Sequence, residues 1–222
     1  MANLTDLQTS LAAMVDQSIS VTDGNTDWNL RLEYLNSAQR EWAEVYPWKI
    51  LIKESNSLTS IATSTATITM PSTFRKLAGY PKIIESSTHV YPEIRAQEKD
   101  QYNSSDHYCY VLGNPDDNYS LIVHPALTAS GASIYIPYVS TPADLSSASD
   151  VSPCANPEFL VQRAAALLWE SREDARFPQA KAQADKILAR MLEFETSFFD
   201  QAERRSVKTV EETRHSFRWG RD

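Results

Sequence analysis

Glycine and cysteine are scarce in this sequence: five and two residues among 222. Five glycines leave little material for loops whose bare backbone cradles phosphate, and neither G-x-x-x-x-G-K-S/T nor G-x-G-x-x-G occurs. Cys109 and Cys154 are too few for a disulfide framework or a thiolate zinc site. No H-E-x-x-H pair is present either. The longest apolar runs fall far short of the roughly 20 residues needed to cross a bilayer, so no membrane partner is expected. Met1-Ala2-Asn3-Leu4-Thr5-Asp6 lacks the basic start and apolar core of a secretory signal. The expectation is a chain that folds in a reducing cytoplasm.

What is present is enough for a sizeable core. An apolar fraction of 42% in 222 residues supports one large domain or two small ones. The net charge of −8 is unevenly placed. Residues 204–222 hold six basic and three acidic side chains, so this segment is +3 and the remainder −11. An acidic body repels nucleic acid, whereas a basic end finds an acidic partner or a phosphate backbone.

Periodicity divides the chain in three. Leu4, Leu7, Leu11, Met14 and Val15 recur at helical spacing. After Asp23-Gly24-Asn25-Thr26, a second helix places Trp28, Leu32, Leu35, Ala38, Trp42 and Tyr46 on one face, and Pro47 ends it. From Trp48 to about Ser140 the period becomes two, with about six strands, a hairpin around Gly113 to Asn118 and a short helix within 92–103. Thr141 to Asn156 is rich in Ser, Pro, Ala and Asp and predicts a connecting loop. Asn156 and Pro157 open a third helix that is apolar almost all round from Phe159 to Trp169. Such a helix needs cover on every side, more than one short bundle gives. Pro178 starts a fourth helix with the stripe Ala180, Ala184, Ile187, Leu188, Met191, Phe194, Phe198 and Ala202. The predicted fold class is therefore α+β. A helical bundle (1–47 and 157–205) carries an inserted antiparallel β domain (48–140), a connecting loop (141–156) and an extended C-terminal docking tail (206–222).

Candidates for chemistry are few, and each has a plainer explanation. His107-Tyr108-Cys109 offers two metal-ligand types, but an alternating strand buries a cysteine there as a small apolar residue. Asp116, Asp117 and Asn118 lack the spacing and distal Glu of a calcium loop and suit a turn. His89, His124 and His215 stand singly, with no nucleophile elbow beside any serine. No catalytic residue, metal or cofactor is assigned. Tyr80, Tyr91, Tyr102, Tyr108, Tyr110, Tyr119, Tyr135 and Tyr138 suit cross-strand packing more than stacking on sugars or bases. The tail is the better functional candidate. Arg214, Phe217, Arg218, Trp219 and Arg221 combine aromatic and arginine anchors on a polar segment.

These features together resemble a head-to-tail adaptor (connector) of a tailed bacteriophage, of the tail tubular protein A-like kind with a helical bundle and an inserted β domain. The resemblance is carried by Tyr34-Leu35-Asn36-x-Ala38-Gln39-Arg40-Glu41 with Trp48, and by Met70-Pro71-x-x-Phe74-Arg75-x-Leu77. Leu121-Ile122-Val123-His124-Pro125, Tyr138-Val139-Ser140-x-Pro142-x-x-Leu145 and the helix from Pro157 through Arg172-Glu173-Asp174 complete it. It implies a virion protein made in the host cytoplasm and forming a ring of about twelve copies at the head–tail junction. Its implied partners are the portal, which the tail would meet, a downstream tail or nozzle protein, and genomic DNA passing unbound through the lumen. Trp28, Leu35, Trp42, Leu167 and Trp169 would then pack the bundle and its neighbours. The alternatives are an oligomeric β-domain protein that binds glycan or nucleic acid, and a tail-completion ring.

Overall fold

The structure, a computed structural model, describes residues 2–16, 26–55, 65–84, 88–114, 118–127 and 133–216, with side chains of the last helix described as far as Ser197. The fold is α+β, with helices and antiparallel sheets, and has two compact units. One comprises Met1–Tyr46 and Asp144–Asp222, the other Pro47–Ala143.

The first unit is helical. Helix α1 (Leu4–Val15) begins at Asn3, whose Oδ1 accepts from the Asp6 N–H at 2.8 Å while Asp6 Oδ2 accepts from the Asn3 N–H at 3.3 Å. This reciprocal cap satisfies two donors that a bare helix end leaves open. Helix α2 (Thr26–Val45) stops two residues before Pro47, as the ring of that proline requires. Helix α3 (Pro157–Ser171) opens as its sequence predicts, with Asn156 Oδ1 accepting from the Glu158 N–H at 3.0 Å. Helix α4 (Phe177–Ser216) runs for 40 residues. It continues past Ala202, where the apolar stripe ends, because Glu203, Arg204, Arg205, Lys208, Glu211 and Glu212 are all good helix formers.

Helix α3 lies against α1, α2 and α4 at once. That arrangement buries Phe159, Leu160, Ala164, Ala165, Leu168 and Trp169, so three helices of the same chain supply the cover its all-round apolar surface demands.

Among the described residues, the second unit has eight strands: β1 (Ile52–Ser55), β2 (Thr65–Thr69), β3 (Phe74–Leu77), β4 (Lys82–Ile84), β5 (Thr88–Val90), β6 (Tyr108–Asn114), β7 (Asn118–Leu127) and β8 (Ser133–Ser140). The alternation predicts about six, and strands of three or four residues are too short to show a period. In one sheet β8 is central, with β1 along one edge and β4 and β3 along the other, while β5 extends beyond β4. In the second, β7 lies between β2 and β6. Every strand pair is antiparallel. The short helix that the sequence suggests within 92–103 is present as a 3₁₀ helix, Ala96–Gln101. A single core of Ile68, Met70, Phe74, Cys109, Leu121 and Ile136 draws on both sheets.

Candidate functional site

The densest polar arrangement lies on α2, in the segment Asn36 to Glu41. Asn36 Nδ2 donates to the Leu145 carbonyl at 3.0 Å, and the Leu145 N–H donates to Asn36 Oδ1 at 2.8 Å. Ser152 Oγ donates to Gln39 Oε1 at 2.6 Å. Arg40 grips Asp144 with two donors, Nε to Oδ1 at 3.1 Å and Nη2 to Oδ2. Arg163 on α3 donates through Nε to Glu41 Oε2, and that bond raises the Arg163 pKa further. From α1, the Leu4 N–H donates to Asp150 O at 2.8 Å and the Thr5 N–H to Ala148 O at 3.2 Å. The Asp150 carboxylate accepts from the N–H and hydroxyl groups of both Ser146 and Ser147, which hold it well below the usual carboxylate range.

The connecting loop that composition predicts is closely packed here, with Leu145, Ser152 and Cys154 only 3%, 2% and 1% exposed. The segment is a fixed element, tied down by side chains far away in sequence. Each acid in it is matched by an arginine or by several hydrogen bonds, so the cluster holds structure together.

A second polar group, not expected from the sequence, lies between α1 and α2. Arg31 is 5% exposed; its Nε donates to Gln8 Oε1 at 3.0 Å and its Nη1 to Asp16 Oδ2 at 2.9 Å. Gln8 in turn donates to the Trp28 carbonyl at 3.1 Å. The signal for it was available. Arg31 stands at helical spacing before Leu35, Ala38 and Trp42, in a position that belongs to the buried stripe.

Of the packing residues proposed from the sequence, Trp28, Leu35, Trp42 and Trp169 are buried inside the helical unit, and Leu167 is half-buried. Arg176 lies 4.5 Å above the centre of the Trp169 ring while its guanidinium binds Asp174 at 3.0 and 2.7 Å. This pairing holds the Asp174 carboxyl down at about 2. A groove of about 390 Å³ opens beside this stack, lined by Met14, Gln162, Gln179 and Gln183 as well. Further along α4 the cover ends. Ile187 is 4% exposed, and Phe194, two turns later, is 69% exposed. Of the tail residues, Arg214 lies in the backbone of α4, whereas Phe217, Arg218, Trp219 and Arg221 lie outside the described residues.

The candidates in the β unit turn inward. Cys109 is fully buried, its thiol donates to the Tyr91 carbonyl at 3.3 Å, and burial, helped by the charge of Glu93, pushes it up to about 12. His107 stacks on His89 with centroids 4.4 Å apart and planes within 8°. Lone pairs in parallel ring planes do not converge on one ion. Among the described residues, no three His, Cys, Asp or Glu side chains form a ligand group. Asn118 closes the hairpin at φ 64°, whereas Asp116 and Asp117 lie outside the described residues, as does the side chain of His215.

Most of the tyrosines pack within the unit. Tyr108 faces His124 across the β6–β7 register and stacks on it at 4.8 Å, with Tyr102 at 5.1 Å. Tyr119 meets Phe74 edge-on at 5.2 Å, and Tyr138 meets the same ring at 5.9 Å. Tyr80 is the most exposed, at 59%. Among the described residues, no helix is long and apolar enough to cross a membrane.

A family model described as SU10 adaptor protein matches residues 2–212, nearly the whole chain. No curated protein matches the sequence. The chain belongs to the SU10 adaptor protein family and is a phage adaptor, a structural component of the virion.

Proposed function

We propose that this phage adaptor is the ring that joins the capsid portal to the tail, with its lumen forming part of the DNA channel. The observation that carries the reading is the family match over residues 2–212. A helical bundle interrupted by an all-antiparallel β unit supports the tail tubular protein A-like kind of adaptor in particular. The ring holds about twelve copies, a closed cyclic assembly.

The charge distribution supports the division of labour. Outside residues 204–222 the chain carries −11, and DNA adheres to Lys and Arg, so such a wall lets the duplex slide. The final segment is +3 and holds Phe217 and Trp219, the residue types that anchor interfaces. Helix α4, about 60 Å long at 1.5 Å per residue, gives that segment its reach toward the portal.

The test is removal of Arg214 to Asp222. The shortened protein keeps the helical circular dichroism of the parent and loses binding to purified portal, and micrographs of parent plus portal show a stacked ring. Unchanged portal binding by the shortened protein overturns the docking role.

A further inference from the structure

We infer that the groove beside the Trp169–Arg176 stack holds an extended, uncharged segment of the downstream tail protein, gripped by its main chain. This rests on the reading that the C-terminal tail meets the portal, and it names the surface for the next component. The walls come from three helices of one unit: Met14 from α1, Gln162 and Trp169 from α3, and Gln179, Ala180 and Gln183 from α4. Trp169 and Ala180 are buried and Met14 is half-buried, so the deepest part of the groove is apolar. Its volume of about 390 Å³ falls within the range of ligand pockets, about 300–1,000 Å³.

Charge narrows the occupant. The charged residue of the lining, Arg176, binds Asp174 through Nε and Nη2 at 3.0 and 2.7 Å. The pair presents no net charge, so neither a phosphate nor a charged peptide gains from entering. What the walls offer instead is amide. Each glutamine side chain carries donors and an acceptor, as a peptide unit does. Those of Gln162, Gln179 and Gln183 make no hydrogen bond within the described residues.

Spacing narrows it further. Gln179 and Gln183 stand one above the other on α4, a helical turn apart and about 6 Å along its axis. An extended chain turns a main-chain N–H and C=O to the same side every second residue, about 6.6–6.8 Å. The two repeats match within the reach of a glutamine side chain. A helical partner has already spent those groups on its own backbone. With Gln162 on the facing wall, one side chain of the extended segment points to the apolar floor and its neighbours point away. Position selects the source. The groove lies on the first two turns of α4, and residue 206, where the docking tail begins, lies about 35 Å further along the same helix. A tail that engages the portal leaves the groove at the opposite end, toward the component that follows.

The test probes the full-length protein with immobilised overlapping peptides that cover the downstream tail protein of the same phage. A segment with an apolar residue and no charge at its centre binds, and Gln179→Ala and Gln183→Ala each weaken it about three- to tenfold. Lys181→Ala, between them on the helix but outside the lining, leaves binding unchanged, and all three variants melt like the parent. N-methylation of alternate main-chain amides in the bound peptide reads the grip itself: one alternation abolishes binding and the other does not. No bound peptide, binding only by peptides of the portal or of this chain, equal effects of the two alternations, or an unaffected Gln179→Ala overturns the inference. A ring that stacks on the portal but binds no such peptide refutes the groove and leaves the adaptor ring standing. A bound peptide on a chain that never joins the portal supports the groove and refutes the docking tail.

Discussion

Replacing Asn36 by alanine should unfold the helical unit more readily than any surface change, and the amount follows from the geometry. The Asn36 side chain is 8% exposed and spends its amide on one residue, donating to the Leu145 carbonyl and accepting from the Leu145 N–H. Truncation removes both partners at once and leaves the buried backbone donor and acceptor of Leu145 unmatched. An unsatisfied buried group costs about 1–3 kcal/mol, and water admitted by the shortened side chain brings the pair toward the lower part of that range. The expected loss is about 2–4 kcal/mol, read as a shift in the urea midpoint at constant slope. Trp28, Trp42 and Trp169 are buried in this unit, so tryptophan emission follows its unfolding.

Asn36→Asp separates hydrogen bonding from packing. The acid keeps the oxygen that accepts from the Leu145 N–H but sets a second oxygen against the Leu145 carbonyl, so the ionised form is the worse fit. Its folded pKa is therefore raised above the unfolded value of about 3.9. The unfolded state then releases its proton first as pH rises, and the variant is destabilised most at neutral pH and recovers toward pH 4. An Asn36→Ala loss below about 1 kcal/mol, or an Asn36→Asp variant with no recovery on acidification, refutes the two-bond account.

Two further predictions concern the β unit and the cysteines. Gly113→Ala should destabilise the β unit by about 1–3 kcal/mol in thermal melts, because Gly113 has φ +104° and an added Cβ would lie 2.3 Å from the Asn118 carbonyl oxygen; a neutral variant contradicts the left-handed turn. Burial holds the Cys109 and Cys154 thiols at about 12, so the native protein should react slowly with a disulfide reagent at pH 8, and fast once denatured. By linkage, the stability those neutral thiols contribute is complete below the unfolded value of about 8.5 and is lost as pH rises toward about 12, so alkaline melts of Cys109→Ala should fall less steeply than the parent's.

What was legible in the sequence depended on range. Helices α1 to α3 show in apolar stripes and in local signals such as Asn156-Pro157, which act within one turn. The longer strands show by alternation, but β3, β4 and β5 have three or four residues and owe their place to pairing with β8 or with one another. Within the connecting loop, the packing of Asp144 to Cys154 is not legible in the sequence, because it comes from Asn36 and Gln39, which lie 109 and 113 residues from their partners. The burial of Arg31 is not legible because an arginine in an apolar stripe is ordinarily exposed, and only the fold brings Gln8 and Asp16 to it. On α4 the stripe's first members Ala180, Ala184 and Ile187 are buried as their spacing suggests, the side chains of Phe198 and Ala202 lie outside the described residues, and the exposure of Phe194 is not legible in the period.

The motifs that carry the family resemblance now have a physical content. Leu35, Ala38 and Trp42 fill the bundle, while Asn36, Gln39, Arg40 and Glu41 fasten Leu145, Ser152, Asp144 and Arg163 to it. Asn36 and Leu145 belong to two different motifs, and the paired hydrogen bonds between them are where those motifs meet. Pro71 and Phe74 make the turn entering β3, with the Phe74 N–H donating to the Pro71 carbonyl at 2.8 Å, and Met70 and Phe74 lie in the β core. All of these residues specify a scaffold. The candidates for assembly lie outside the motifs, at Gln179 and Gln183 of α4 and in the docking tail. Substitutions in the motifs should therefore lower stability before they touch assembly, and substitutions at Gln179 and Gln183 should impair assembly in a protein that melts like its parent.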